Sequence, residues 1–352
     1  MLRRRPVLSL LAVLVASHLG VPGAEAGPPA PQDVPGMASL WGVQCHADRT
    51  CLGVGFSQAG GAATVVLSAT GALGPVRRAP ATDRLDDITC LPAGNCLAVG
   101  SGRRGGAVVV QVAADGTPTA VRPVTGATSL FAVACPTATT CVATGQRVTV
   151  LSSFPYNITV PVYTVITNGE PGPALRYPRG VSALWDIDCP SATRCLAVGD
   201  GNVAVFTGTE GAWSVRTSVV PGDDYPTDGI SCPSPTLCHA AAVSERPFGG
   251  GFVALPAVMS LTADGAAGPV QVLADRSGMV RAISCVAEWT CTLVGNAGRP
   301  MIVEVAPGQP PVVTLFDTNL GLNAVSCISA TACGIVGSAG GIPPIAFFAW
   351  KG

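Results

Sequence analysis

Histidine, lysine and long apolar runs are scarce in this sequence. Its 352 residues include three histidines and, among 20 basic residues, one lysine, Lys351. Only His46 and His239 lie beyond residue 26, so a Ser-His-Asp or Cys-His nucleophile is not expected. Beyond that point no stretch of 18 apolar residues lacks a polar, Pro or Gly break, so no membrane span is predicted. The formal net charge of −1 leaves no basic footprint for nucleic acid.

The first 26 residues have the pattern of a secretory signal peptide. A basic segment at residues 3–5 precedes an apolar run at residues 7–16, and residues 24–26 form a small-x-small cleavage site. We therefore expect residues 1–26 to be removed and residues 27–352 to be exported as a single domain. No cysteine near the cleavage site is available for lipid attachment. Release from the cell is the simpler expectation, and a tether through a partner protein is the alternative.

All 14 cysteines fall in pairs with five residues between the members, and none is left over. Exported thiols at this spacing form disulfides. Zinc is the alternative, but structural zinc sites place about two to four residues between paired cysteines and usually include histidine. We predict local disulfides and no metal site. The predicted bridges are Cys45–Cys51, Cys90–Cys96, Cys135–Cys141, Cys189–Cys195, Cys232–Cys238, Cys285–Cys291 and Cys327–Cys333.

The cysteine pairs recur every 42 to 54 residues, which indicates a repeat architecture. In each unit an apolar residue lies two positions before the first cysteine, and a short strand such as Leu97–Gly100 follows the second. A β-rich run such as Val108–Val112, a turn with glycine and another extended stretch complete four strands. The turn glycines precede the next first cysteine by 19 to 21 residues. They are Gly71, Gly116, Gly169, Gly211, Gly265 and Gly308.

The two ends of the array are complementary. Counting 19 residues back from Cys45 reaches Ala26, and the chain ends at Gly352, where the seventh unit's turn is due. We therefore expect the exported chain to begin on the fourth strand of a unit, with residues 28–36 completing the last blade. Such an array closes into a ring, which predicts an all-β, seven-bladed β-propeller with four-stranded blades and one disulfide hairpin per blade. A β-helix or open solenoid is the alternative, and it does not require complementary ends.

The motif Ile-x-Cys-Pro-Ser-x-Thr-x-Cys-x-Ala-Val-Gly is best matched at Ile187–Gly199, Val133–Gly145 and Val325–Gly337. It resembles the repeat of secreted actinobacterial β-propeller proteins, and the layout is similar to WD-repeat and Asp-box (sialidase-like) propellers. The resemblance covers nearly all of the chain after residue 26 and implies the fold and little about activity. The arginine triad and nucleophile pair of a sialidase are not assigned here. No catalytic residue and no cofactor is predicted.

Loop length varies mainly on one face of the predicted ring. Units three and five carry long loops, at residues 146–159 and 244–256, on either side of the short loop 200–202 of unit four. We predict a ligand groove there, because tyrosine in such loops suits sugars and peptides. The alternative is that these side chains pack on their own blades. The predicted ligand-binding residues are Phe154, Tyr156, Arg176, Tyr177, Arg179, Asp200, Asp223, Asp224, Tyr225, Arg246 and Phe248.

The predicted function is that of a monomeric, non-catalytic binding or scaffold propeller for an extracellular carbohydrate or protein. One alternative is a carbohydrate-active hydrolase or lyase, with Glu245 facing Asp223 or Asp224 as its carboxylate pair. A purely structural envelope protein is another. Calcium binding by Asp223, Asp224 and Asp228 is left open, although no EF-type spacing is present.

Overall fold

The computed structural model describes residues 31–351, apart from 92–93, 151–156, 179, 210–211, 318 and 341–344. The predicted signal peptide lies outside the described residues. So do three of the predicted ligand-binding residues, Phe154, Tyr156 and Arg179.

The described residues form 29 β-strands in seven antiparallel sheets and no helix. The first strand, β1 (Gln32–Val34), precedes blade one. Blade one contains β2 (Met37–Cys45), β3 (Cys51–Ser57), β4 (Ala62–Leu67) and β5 (Arg77–Arg78). Blade two contains β6 (Thr82–Cys90), β7 (Cys96–Gly102), β8 (Ala107–Val112) and β9 (Pro118–Val124). Blade three contains β10 (Ser129–Ala134), β11 (Thr140–Val150) and β12 (Asn157–Thr167), with β13 (Glu170–Pro171) and β14 (Leu175–Arg176) sharing its outer position.

The remaining blades follow the same order from the channel outward. Blade four contains β15 (Asp186–Ser191), β16 (Arg194–Gly199), β17 (Asn202–Thr209) and β18 (Ala212–Val219). Blade five contains β19 (Asp224–Ser231), β20 (Leu237–Phe248), β21 (Gly251–Thr262) and β22 (Ala267–Val272). Blade six contains β23 (Met279–Ala287), β24 (Thr290–Asn296), β25 (Pro300–Val305) and β26 (Val312–Leu315). Blade seven contains β27 (Leu320–Cys327), β28 (Cys333–Ala339) and β29 (Ile345–Lys351).

The ring closes through the start of the chain, as the ends of the repeat array predict. Strand β1 pairs antiparallel with β29, with Gln32 opposite Phe348 and Val34 opposite Ala346. It thereby supplies the outer strand of blade seven. The prediction of a seven-bladed propeller with four-stranded blades is confirmed.

Each blade carries its predicted disulfide in the hairpin between its first and second strands. All 14 cysteines are paired. The chain-entropy model gives about 2 to 2.5 kcal/mol for closing a seven-residue loop. These bridges fit an oxidising compartment. In the described part of the chain, no helix is long and apolar enough to cross a membrane.

The apolar core is divided among the interfaces between blades. Between blades one and two, Leu52 and Val54 pack on Leu85 and Ile88. Corresponding clusters lie between the other neighbours and across the closure. Because each face of a strand meets the next blade, most second and third strands are apolar along their whole length rather than alternating.

Candidate functional site

The long loops predicted for blades three and five are extended hairpins. In blade three the strand pairing continues to Val150 opposite Asn157, and in blade five to Phe248 opposite Gly251. In blade four it ends where Gly199 pairs with Asn202. Two long hairpins therefore flank a short one, as the loop lengths predict.

Tyr177 of the predicted groove lies in the core between blades three and four. It is 7% exposed, and its ring packs against Tyr163 and Phe206, with centroid distances of 5.1 and 6.0 Å. Desolvation raises the pKa of Tyr177 well above the ordinary tyrosine value. Its ring stabilises the blade interface instead of facing a ligand.

The predicted residues of blade five are joined by hydrogen bonds. The Tyr225 hydroxyl donates to Glu245 Oε1 at 2.7 Å, and this bond, with desolvation, raises the pKa of Tyr225 to about 12. Asp224 accepts from Ser244 Oγ at 2.5 Å and from Arg246 Nη1 at 3.1 Å. Since Asp224 is paired with Ser244, Asp224 and Glu245 project from opposite faces of the strand pair. Glu245 and Asp224 are therefore not assembled for the acid–base role considered from sequence. Asp223, the other partner considered, lies opposite Glu245, whose N–H donates to the Asp223 carbonyl oxygen at 2.7 Å.

The other predicted residues are spread over the same face. Asp200 accepts a hydrogen bond from Trp185 Nε1 at 3.1 Å. Arg176 is exposed on β14, and Asp223 is exposed just before β19. Phe248 is 75% exposed at the hairpin tip of blade five. Of this set, the structure links only Asp224 and Arg246 to each other by a hydrogen bond within the described residues.

A second site was missed by the sequence prediction, and it depends on an irregularity in the inner strands. In β2, Leu40 pairs with Gly55 and Gly42 pairs with Val54, so Trp41 between them has no partner. A β-bulge of this kind bends the strand and redirects the extra side chain. The same position, four residues before the first cysteine, is skipped in blades two, three, six and seven. In blade four, Trp185 N donates to the carbonyl of Val198, the residue already paired with Asp186.

The residue opposite the bulge must be small. A Cβ at Gly145 would lie 2.2 Å from the carbonyl oxygen of Ser129. The corresponding glycines of blades one, two, four, six and seven meet backbone oxygens at 1.9 to 2.4 Å. Blade five has Ala242 there, and its bulge leaves three residues of β19 between Pro226 and Ile230 opposite one residue of β20. The wider bulge accommodates the extra methyl group, which explains why blade five departs from the Leu-Ala-Val-Gly pattern.

The side chains at the seven bulges converge on one end of the central channel, opposite the cysteine hairpins. They surround a funnel of about 350 Å³, which we call the channel mouth. Its lining is Trp41, Arg84, Asp86, Phe131, Trp185, Asp228, Arg281 and Asn323. Every blade contributes its bulge residue, and blade two adds Arg84.

Aromatic rings form part of the wall of the mouth. The rings of Phe131 and Trp185 pack with their centroids 4.7 Å apart. The hydrogen bond from Trp185 to Asp200 fixes the orientation of the indole. The guanidinium of Arg84 in blade two lies 5.6 Å from the centroid of the Trp41 ring in blade one. The rings offer flat apolar surface to a bound group.

The charged groups of the mouth differ in their partners and in how strongly they are desolvated. Arg84 Nε lies 2.7 Å from Asp86 Oδ1, and Asp86 Oδ2 is buried with no hydrogen-bond partner among the described residues. Desolvation raises the pKa of Asp86 to about 6, although Arg84 opposes the shift. Desolvation likewise raises the pKa of Asp228, and Arg281 opposes it. Asn323 donates its amide to Leu40 O at 2.8 Å and, more weakly, to Ser39 Oγ.

Below the mouth, carboxylates tie neighbouring blades together. Asp186 Oδ2 accepts a hydrogen bond from the N–H of Ile230 at 2.8 Å. Asp188 Oδ2 accepts one from the N–H of Cys232 at 2.7 Å. Asp87 accepts the N–H of Val133 at 2.8 Å. The narrow channel desolvates these groups and raises the pKa of all three. Hydroxyls of Ser231, Ser284 and Ser326 make the same link to the next blade.

One signal in the sequence identifies the mouth. Aligned on the first cysteine, the residues four positions earlier are Trp, Asp, Phe, Trp, Asp, Arg and Asn. The residue just before this position is apolar in six of the seven units, and the residue just after it is Gly, Ala or Asp in all seven. A large or charged residue between such neighbours indicates a side chain that points away from the core.

No protein family model matches the sequence, and none of the curated proteins matches it. Solved structures share the fold at low identity. A streptogramin B lyase is 11% identical with a TM-score of 0.64, over 92% of this chain and 97% of that one. The Pan2 WD40 domain of Neurospora crassa is 12% identical with a TM-score of 0.59, over 88% of both chains. YCF48 bound to D1 peptide is 11% identical with a TM-score of 0.62, over 94% of this chain and 99% of that one.

Proposed function

We propose that this protein is an exported binding module whose extracellular ligand, a protein or peptide, docks at the channel mouth. The observation that carries the proposal is the set of bulges that directs aromatic and charged side chains from all seven blades into one funnel. A bulge is a specific backbone feature that is frequent beside functional sites. The predicted signal peptide and the seven disulfides support export.

A peptide fits this wall better than a neutral sugar. The mouth carries two arginines and two aspartates beside its aromatic rings, and a peptide offers charged ends, amide groups and apolar side chains together. One of the similar propellers has the D1 peptide bound. A carbohydrate remains the second ligand class, because aromatic rings also stack on sugars.

The exposed residues of the predicted groove extend this surface. Arg176, Asp223, Arg246 and Phe248 lie on the hairpins and inter-blade segments around the mouth and are available to the remainder of a long ligand. We propose that they contribute secondary contacts.

Binding of the purified, oxidised protein to a panel of peptides and cell-wall glycans tests the proposal. The Phe131→Ala variant removes an aromatic wall of the mouth, and Phe252→Ala removes a 70% exposed ring from the blade-five hairpin as the matched control. Trp41→Ala provides a second mouth variant at a more exposed ring. We expect both mouth variants to lose binding at an unchanged melting temperature, while Phe252→Ala keeps it. Loss in Phe252→Ala alone, or no binding by any panel member, contradicts the proposal and favours the hairpins or a structural role.

An enzymatic role is the second candidate, and Asp86 is the observation that favours it. A carboxyl group with a pKa of about 6 at the wall of a funnel suits general acid catalysis near neutral pH. The streptogramin B lyase shares this fold. If a panel ligand is turned over, Asp86→Asn is expected to abolish turnover while binding persists. Turnover that survives in this variant excludes Asp86 as the acid.

A further inference from the structure

We propose that the channel mouth recognises the carboxyl terminus of a peptide or protein, with Arg281 binding the terminal carboxylate and the Phe131–Trp185 pair contacting the last side chain. This inference rests on the proposed function and specifies its ligand.

Arg281 is the cation of the mouth that is available to a ligand. The guanidinium of Arg84 is occupied by Asp86 at 2.7 Å and by the ring of Trp41. The side chain of Arg281 is exposed, and its described interaction is electrostatic, with Asp228, where it opposes the rise in the pKa of that carboxyl. A guanidinium presents parallel N–H groups that match both oxygens of a carboxylate.

The charge balance of the mouth favours a carboxylate over a polyanion. Arg84 and Arg281 are balanced by Asp86 and Asp228, so the formal charge of the lining is zero when both acids are ionised. A phosphate with two charges would face Asp228 beside Arg281, and like charges in a partly desolvated site repel strongly. A single carboxylate carries one negative charge, so it can pair with Arg281 and meets less repulsion from Asp228.

The aromatic pair lies in blades three and four, on another sector of the ring from Arg281 in blade six. A ligand that spans the mouth therefore needs an anionic group and an apolar group within one small unit, because the funnel holds only about 350 Å³. A peptide's last residue has this arrangement, because its side chain and its carboxylate leave the same Cα. A large apolar or aromatic last residue gains most from contact with these rings.

Two groups of the mouth can accept hydrogen bonds from peptide amides. Asp86 Oδ2 is buried without a partner among the described residues. Asn323 uses its amide nitrogen on blade one, which leaves its amide oxygen as an acceptor. Buried acceptors normally find a donor. The backbone N–H groups of the last residues of a peptide would supply such donors. The hydroxyls of a neutral sugar are both donors and acceptors, so they would also need donors from the wall of the mouth.

The size of the mouth limits what enters. A volume of about 350 Å³ is at the small end of ligand pockets. It admits the last two or so residues of a chain but no folded domain, so the partner must present a flexible carboxyl-terminal tail.

Paired peptide libraries test the inference. The probe is a set of labelled decapeptides with random sequence and a fixed last Phe, prepared once with a free carboxylate and once as the carboxyl-terminal amide. We expect amidation to weaken binding about tenfold to a hundredfold, because a charged hydrogen-bonded pair is lost. Arg281→Gln should weaken binding of the free acid by a similar factor and bind acid and amide equally. Arg104→Gln, at an exposed arginine between β7 and β8, is the matched control and should still discriminate between acid and amide.

The outcomes separate this inference from the proposed function. If the peptides bind and Phe131→Ala loses them, but amidation has no effect, the terminal-carboxylate inference is wrong and the mouth remains the binding site. The inference is equally wrong if Arg281→Gln still prefers the acid, or if only glycans bind in a Phe131-dependent way. If no ligand depends on Phe131 or Trp41, the proposed function itself fails.

Discussion

Replacing Gly145 with alanine tests the link between the bulges and the fold. The new Cβ would lie 2.2 Å from Ser129 O and 2.8 Å from Leu130 Cα, so the backbone must open by more than 1 Å to reach an ordinary contact. Overpacking of this kind costs about 1 to 3 kcal/mol. The entropy of unfolding is about 2.1 cal/mol/K per residue, so roughly 320 residues give about 0.7 kcal/mol/K. The expected fall in melting temperature is therefore about 1.5 to 4.5 °C.

The assay is calorimetric unfolding of the oxidised protein, with Gly251→Ala as the control. Gly251 lies at the blade-five hairpin with ordinary backbone angles, and the nearest atom to its new Cβ is Phe248 O at 3.8 Å. The control should unfold within about 0.7 °C of the parent, since no atom must move. Equal melting temperatures for the two variants would refute the steric role of the glycine. Because Phe131 sits on the affected bulge, Gly145→Ala should also weaken binding at the mouth.

Three further predictions concern stability. In the double variant Cys189→Ser/Cys195→Ser, the free energy of unfolding should fall by about 2 to 2.5 kcal/mol and the melting temperature by about 3 to 4 °C. An unchanged melting curve would show that the bridge does not contribute to stability. Desolvation raises the pKa of Asp87 from 3.8 to about 7, so the folded protein binds more protons than the unfolded chain in that range and this contribution to stability is lost as pH rises from 4 to 7. Urea unfolding should show that the free energy of unfolding falls less between pH 5 and pH 8 in Asp87→Asn than in the parent protein. An identical fall in both proteins would contradict the assignment. Burial lowers the pKa of His239 from 6.5 to about 4, so its contribution to stability is lost as pH falls from 6.5 to 4. In His239→Gln, urea unfolding at these two pH values should show a smaller fall in the free energy of unfolding, and an unchanged fall would contradict the assignment.

The propeller could be predicted because its signals are periodic. Cysteine spacing set the number of blades, and the distance from each turn glycine to the next cysteine set the strand count and the point of closure. Each of these positions repeats because every blade meets the same neighbours.

The site was harder to predict for physical reasons. Loop lengths gave the long hairpins of blades three and five, but position in a loop does not determine side-chain direction, and Tyr177 turned into the core. The mouth was missed because a bulge breaks the two-residue alternation from which strand faces are inferred. Trp41 lies beside the buried Leu40 and is nevertheless 37% exposed in the channel.

The pairing of β1 with β29 bears on how the ring assembles. Each disulfide joins neighbours in one hairpin, so every bridge can form as its blade emerges, without waiting for distant thiols. The last blade is different, because its outer strand is the first described strand of the chain and its inner strands are the last. That leading segment must stay free of other sheet edges until synthesis ends. Closure of the ring therefore requires pairing between the two ends of the described chain, and a molecule bound to the free edge of β29 is expected to leave the disulfides formed and the ring open.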